Sequence, residues 1–129
     1  MRTISSIVVG SFLVLGLNCD KGTNTNTPIK PLEILQPKGG ETYTVGQTVE
    51  IRWRINDLSK IPSVGVKLSI DNGKLYTPLL LPDRSFPPET TWVSWIIQST
   101  QASAHCIVEV YDYSDESLYD KSGAFTVSN

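Results

Sequence analysis

The chain has 129 residues, 40% of them hydrophobic and 19% charged, which describes one globular domain with a terminal extension and excludes a disordered polymer. The formal charge of −2 is small and the Lys and Arg residues are scattered, so there is no basic footprint for a phosphate backbone. Nucleic acid is thereby excluded as a partner, and a single histidine, His105, leaves no His-rich metal site and calls for no cofactor.

Met1-Arg2-Thr3 is a short basic start, and residues 4–17 form an uncharged, mostly apolar run. A run of about 14 residues is too short to cross a bilayer as a mature helix, which takes roughly 20. Its length and flanks are those of a signal-peptide core. The run ends in Leu15-Gly16-Leu17-Asn18-Cys19, which resembles a bacterial lipobox, although Asn18 stands where Gly, Ala or Ser is usual. The resemblance implies a lipoprotein-type signal peptide over residues 1–18 and lipid on Cys19. The membrane is then a partner, and the location is the bacterial cell envelope. Cleavage nearby by ordinary signal peptidase, giving a secreted protein, or an uncleaved anchor are the alternatives. Residues 19–31 are polar, rich in Thr and Asn and contain two prolines, as expected of a flexible tether.

The folded part is expected over residues 32–129. A short strand over residues 32–35 is stopped by Pro37 and the Gly39-Gly40 pair. Residues 41–45 follow, and Gly46-Gln47 turns the chain into residues 48–55. There Val49, Ile51, Trp53 and Ile55 alternate with Thr48, Glu50, Arg52 and Arg54. Strict period-two alternation predicts a strand with one buried and one wet face. Val64, Val66, Leu68 and Ile70 repeat the pattern, and Asp71-Asn72-Gly73 predicts a tight hairpin into a partner strand over residues 74–80. A Pro-rich loop over residues 81–89 interrupts the sequence of strands. Val93, Trp95 and Ile97 then predict an inward face, with Trp92, Ser94 and Ile96 outward. Cys106, Val108 and Val110 continue the core, and Phe125 and Val127 close it. About seven short strands with turns every eight to twelve residues predict an all-β fold, an antiparallel β-sandwich of the Ig or fibronectin-III kind. Its expected core is Val49, Ile51, Trp53, Val66, Leu68, Trp95, Val108, Val110 and Phe125.

The succession Pro37-x-Gly39-Gly40-Glu41-x-Tyr43-x-Val45-Gly46-Gln47-x-Val49-x-Ile51-x-Trp53 resembles the Ig-like domain of KNH-type cell-wall glucan-synthesis and Ser/Thr-rich GPI-anchored proteins. Val66-x-Leu68-Ser69-x-Asp71-x-Gly73, Cys106-x-Val108-x-Val110 and Asp120-x-Ser122-x-x-Phe125-x-Val127 extend the likeness over nearly all of residues 32–128. Such modules serve as stalks, spacers or adhesion elements. The resemblance implies a non-enzymatic envelope lipoprotein that presents an Ig-like module to an envelope protein or polysaccharide. A carbohydrate-binding module, or an accessory to a secreted enzyme, is the alternative.

Few residues carry chemistry. Residues 69–76 resemble a single Asp-box, a structural turn in which the Asp side chain bonds to turn amides. His105 has no nucleophile-elbow motif beside it. Cys106 falls on an inward position and is expected to be a free, buried thiol. Asp112, Asp115, Glu116 and Asp120 are dense enough in oxygen to suggest calcium, but their spacing is not that of an EF-hand. A solvated acidic connection between the last two strands is the expected reading. Trp92 points outward by phase, and Tyr76, Tyr111, Tyr113 and Tyr119 are placed as possible neighbours of a ligand-contact surface, since exposed aromatics stack on sugar rings.

Overall fold

The computed structural model describes residues 29–80 and 82–129. The expected signal peptide, Cys19 and most of the tether lie outside the described residues. Among the described residues there are nine strands: β1 (Leu32–Gln36), β2 (Thr42–Thr44), β3 (Thr48–Ile55), β4 (Val64–Ser69), β5 (Thr77–Pro78), β6 (Trp92–Ile96), β7 (Ser103–Asp112), β8 (Asp115–Lys121) and β9 (Phe125–Ser128). They form an all-β sandwich of two sheets. The smaller has the order β1-β3-β6, and the larger has β2-β9-β7-β4-β5 with β8 also on β7. Among the described strands only the β2–β9 pair is parallel. No helix among the described residues is long and apolar enough to cross a membrane.

The alternation along β3 places Val49, Ile51 and Trp53 in the core while Arg52 and Arg54 stay in solvent. Val93 and Trp95 of β6 face the same way, opposite Ile51 and Val49 across the ladder. From the other sheet come Val64, Val66, Leu68, Cys106, Val108, Val110, Phe125 and Val127, all buried. All nine core positions named from the sequence are buried, and Ile61 and Leu79 join them. Phe125 lies edge-on to both Tyr43 and Trp95, with ring centroids 5.6 and 6.3 Å apart. Aromatic pairs prefer that offset geometry, and each large apolar side chain so buried contributes about 1.5–3 kcal/mol.

The Pro-Gly-Gly-Glu turn has a direct physical reading. The Glu41 carboxylate accepts from the backbone N–H of Lys38 and of Gly39, at 2.7 and 2.8 Å. Gly39 has a φ of 128°, and a Cβ there would stand 2.8 Å from the Gly123 backbone. Only glycine lets the turn dock so closely, and Gly123 N–H seals the contact by donating to the Lys38 carbonyl.

Two expectations are corrected. The acidic segment is a strand rather than a solvated connection: β8 pairs with β7, setting Lys121 opposite Glu109, Asp120 opposite Val110 and Tyr119 opposite Tyr111. Its inward positions are Leu118 and Asp120, so its core face is half polar and its alternation is hard to see. Asp120 is nevertheless buried, because its Oδ2 accepts from the Ile34 N–H of β1 at 2.9 Å and its Oδ1 from Lys30 Nζ at 2.8 Å. The second correction is the strand expected over residues 74–80, which shrinks to the two residues of β5. Asn72 and Gly73 have positive φ, as the turn chemistry requires. Side chains then replace the ladder: Ser69 Oγ donates to Asp71 Oδ1 and accepts from Gly73 N–H, while Asp71 Oδ1 accepts from Leu75 N–H. The first cross-strand pair is therefore Leu68 with Thr77.

The two flanks of the sandwich differ. On one, Asp120 of β8 bonds directly to β1 and holds the sheet edges together. Lys30 and Pro31, assigned by composition to the tether, are drawn onto this flank, where the Pro31 carbonyl accepts from Asn56 and Asp57 N–H. On the other flank, β5 and β6 stand apart.

Candidate binding face

The outward face of the larger sheet is built row by row from the register. Cys106, Val108 and Val110 turn inward on β7, so Ile107, Glu109 and Tyr111 turn outward. One row runs across Gly65, Tyr111 and Tyr119, and the next across Pro78, Lys67, Glu109 and Lys121. Tyr76 lies beyond, with its hydroxyl near Gly73.

Tyr111 points outward but is buried, at 3% exposure. Gly65 is the reason: a Cβ at that position would stand 2.6 Å from the Tyr111 hydroxyl, so the bare backbone is a seat for the ring. Lys67 Nζ covers the ring at 4.3 Å from its centroid and ion-pairs with Glu116. Tyr113 stacks on Tyr111 at 6.1 Å with planes 20° apart, and its hydroxyl donates to Asp83 Oδ2 at 3.3 Å. Burial, and then the Asp83 charge, push the Tyr111 hydroxyl up to about 12. Lys121 Nζ sits 5.3 Å from the rings of both Tyr76 and Tyr119. The result is an aromatic strip of Tyr113, Tyr111 and Tyr119 continued through Lys121 to Tyr76. Tyr113 and Tyr119 are the exposed members, at 39% and 49%.

Glu109 lies at the centre of this face and is 8% exposed. Burial pushes its carboxyl above the ordinary range, against the opposing pull of Lys67 and Lys121. Among the described residues neither lysine closes an ion pair with it, since Lys67 is held by Glu116 and Lys121 by the tyrosine rings. The Tyr76 hydroxyl is buried without a partner among the described residues.

The sequence-predicted contact residues do not form one surface. Trp92 is on β6 of the smaller sheet, 45% exposed, with the Arg52 guanidinium 5.9 Å from its ring. The tyrosines belong to the other sheet. Tyr111, expected as an exposed contact, is instead the buried base on which Tyr113 rests.

The carboxylates considered for calcium are engaged elsewhere, although Asp112 and Asp115 pair across the hairpin. Asp112 is 2% exposed and its Oδ1 accepts from Ser114 N–H and Oγ–H; Asp115 does the same for Ser117. They are turn-forming groups at the β7–β8 hairpin, and Asp120 is committed to β1. Among the described residues no three His, Cys, Asp or Glu side chains are placed to hold a metal ion. His105 is exposed on β7. Cys106 is free and buried, and burial pushes its thiol up.

A groove of about 660 Å³ opens between β5 and β6, with Leu68, Leu79 and Trp95 in its lining and exposed Ile70, Leu75 and Ile96 at its lips. It exists because the smaller sheet stops at β6 while the larger continues to β5. Sequence reading missed this groove, which no local pattern encodes. It also missed the Lys67–Glu109–Lys121 row, whose only signal was the polar phase of each strand. The chain matches no known protein family, no curated protein and no solved structure.

Proposed function

We propose that this chain is a non-enzymatic protein of the bacterial cell envelope, anchored by lipid on Cys19, whose Ig-like sandwich contacts a polysaccharide. The observation that carries the reading is the strip of tyrosines on the outer face of the larger sheet. Tyr113 and Tyr119 present exposed rings, and Tyr111 beneath Tyr113 fixes the spacing. Ring faces held by a rigid sheet give apolar contact with the C–H faces of pyranoses at little entropic cost, while Lys67, Glu109 and Lys121 between them are suited to sugar hydroxyls. The Ig-like reading draws support from the pairing of the first, third and sixth strands against the fourth, seventh and ninth, the A-B-E against C-F-G division of such sandwiches.

Binding of the full chain to a glycan array, repeated with Tyr119→Ala, tests this function. Truncating an aromatic side chain that anchors a ligand costs about 1–2 kcal/mol, so the variant should lose roughly tenfold in affinity. Unchanged binding would refute the role given to this face. Lipid on Cys19 is tested separately by the intact mass of membrane-extracted protein and its Cys19→Ala variant.

Protein contact is a second reading, and the open flank favours it. There β6 has an edge that no other described strand pairs with, beside the groove, and Trp92, Ile96, Ile70 and Leu75 leave apolar surface in solvent.

A further inference from the structure

We infer that Glu109 is the hydrogen-bond acceptor at the floor of the tyrosine face, and that the face takes an uncharged sugar polymer rather than a polyanion. The inference rests on the polysaccharide reading above and narrows it to a ligand class.

The first argument is the state of the carboxylate. Glu109 points away from the core, yet its neighbours bury it more than nine-tenths. Lys67 of β4 and Lys121 of β8 flank it in register. Tyr111 lies along its own strand, and Tyr119 and Glu116 come from β8. A carboxylate in such a place costs free energy until donors reach it. The two lysines are occupied by Glu116 and by the tyrosine rings. The carboxylate oxygens are not among the buried unpartnered atoms, so solvent reaches them in the free protein, and the hydroxyls of a sugar are donors able to take the place of that water. Adjacent ring hydroxyls can address both oxygens of one carboxylate while the sugar's C–H face lies on a neighbouring tyrosine.

The second argument is charge. Lys67 and Lys121 are balanced by Glu109 and Glu116, and Asp83 adds a further negative charge beside Tyr113. The face therefore has no positive excess to attract uronate, sulfate or phosphate groups, and an anionic polymer would set its charge against Glu109. The row has alternating sign, plus-minus-plus across three strands. That pattern suits a neutral ligand bearing both donors and acceptors.

The test is competition on the wild-type full chain between neutral polymers (dextran, a β-glucan, a mannan) and anionic ones (polygalacturonate, dextran sulfate), followed by Glu109→Gln. The expected result is retention by at least one neutral polymer, with little by the anionic pair at physiological salt. Glu109→Gln should weaken neutral binding by about 10- to 100-fold, the range for losing one charge-assisted hydrogen bond. It should also raise binding to the anionic polymers, because Lys67 and Lys121 are then in excess. Neutral binding by the wild type should strengthen as pH rises through the Glu109 titration and be flat in the variant. This profile needs no substitution and so stands even if the variant folds poorly. Preference of the wild type for polyanions, or neutral binding indifferent both to Glu109→Gln and to pH, would overturn the inference. If Tyr119→Ala abolishes binding while Glu109→Gln does not, the polysaccharide reading survives and the role of Glu109 falls. If the wild type binds no polymer, both fall.

Discussion

Asp120 is the sharpest single test of how the sandwich is closed. It bridges β8 to the first strand's flank, and its two oxygens do different work. Oδ2 satisfies the buried Ile34 N–H at 2.9 Å, whereas Oδ1 meets Lys30, whose side chain is 65% exposed. Replacing Asp120 by Ala strands a buried backbone donor, which costs about 1–3 kcal/mol. The Lys30 contact is screened by water and adds little. Taking about 2 kcal/mol for Asp120→Ala, and about 4–8 °C per kcal/mol for a domain of this size, the Tm should fall by about 8–16 °C. Asp120→Asn keeps an oxygen for Ile34 and should recover most of that loss, and Lys30→Ala should leave the transition where it is. Urea unfolding followed by tryptophan fluorescence reads all three, with an unchanged m value marking a pure stability effect. If Asp120→Asn were as damaging as Asp120→Ala, the charge and not the Ile34 bond would close this flank, and the reasoning would be refuted.

The remaining predictions concern the tyrosine face. Gly65→Ala places a methyl 2.6 Å from the Tyr111 hydroxyl and should cost about 1–3 kcal/mol by overpacking, while altering the near-UV tyrosine circular dichroism; a silent substitution would mean that Tyr111 does not rest on Gly65. In a spectrophotometric titration the last tyrosine to ionise should do so at about 12 and be absent from Tyr111→Phe. Glu109 has a folded pKa above its ordinary value, so the stability it contributes is complete below the carboxylate range and is lost as pH rises through the raised value. Glu109→Gln should therefore gain on the wild type as pH rises out of the ordinary carboxylate range, and a difference in urea midpoint that does not change with pH would contradict this sign.

Where one residue type settles the matter, the sequence was readable. Period-two runs such as residues 48–55 and 64–69 put β3 and β4 on the page, because each apolar side chain on one face reports the core directly. β8 was not readable for the opposite reason. Its inward Asp120 is stabilised by an N–H that arrives from 86 positions earlier in the chain, and no local pattern announces that partner. β5 was over-read because Asn72 and Gly73 supply tight-turn chemistry, whereas the side chains of Ser69 and Asp71 hold a wider loop. The aromatic surface was half legible. Outward phase was correct for Trp92, but which sheet each aromatic belongs to depends on strand order, and that order separates Trp92 from the tyrosines. Tyr111 obeys the outward phase and is buried all the same, because Gly65 across the ladder leaves room for the ring.

Affinity electrophoresis through gels containing a soluble neutral glucan tests the central claim most directly, with two variants run beside the full chain. Wild type and Trp92→Ala should be retarded alike, while Tyr113→Ala combined with Tyr119→Ala should run free. Loss of retardation in Trp92→Ala, with the tyrosine variant still held back, would move the site to the smaller sheet and contradict the account.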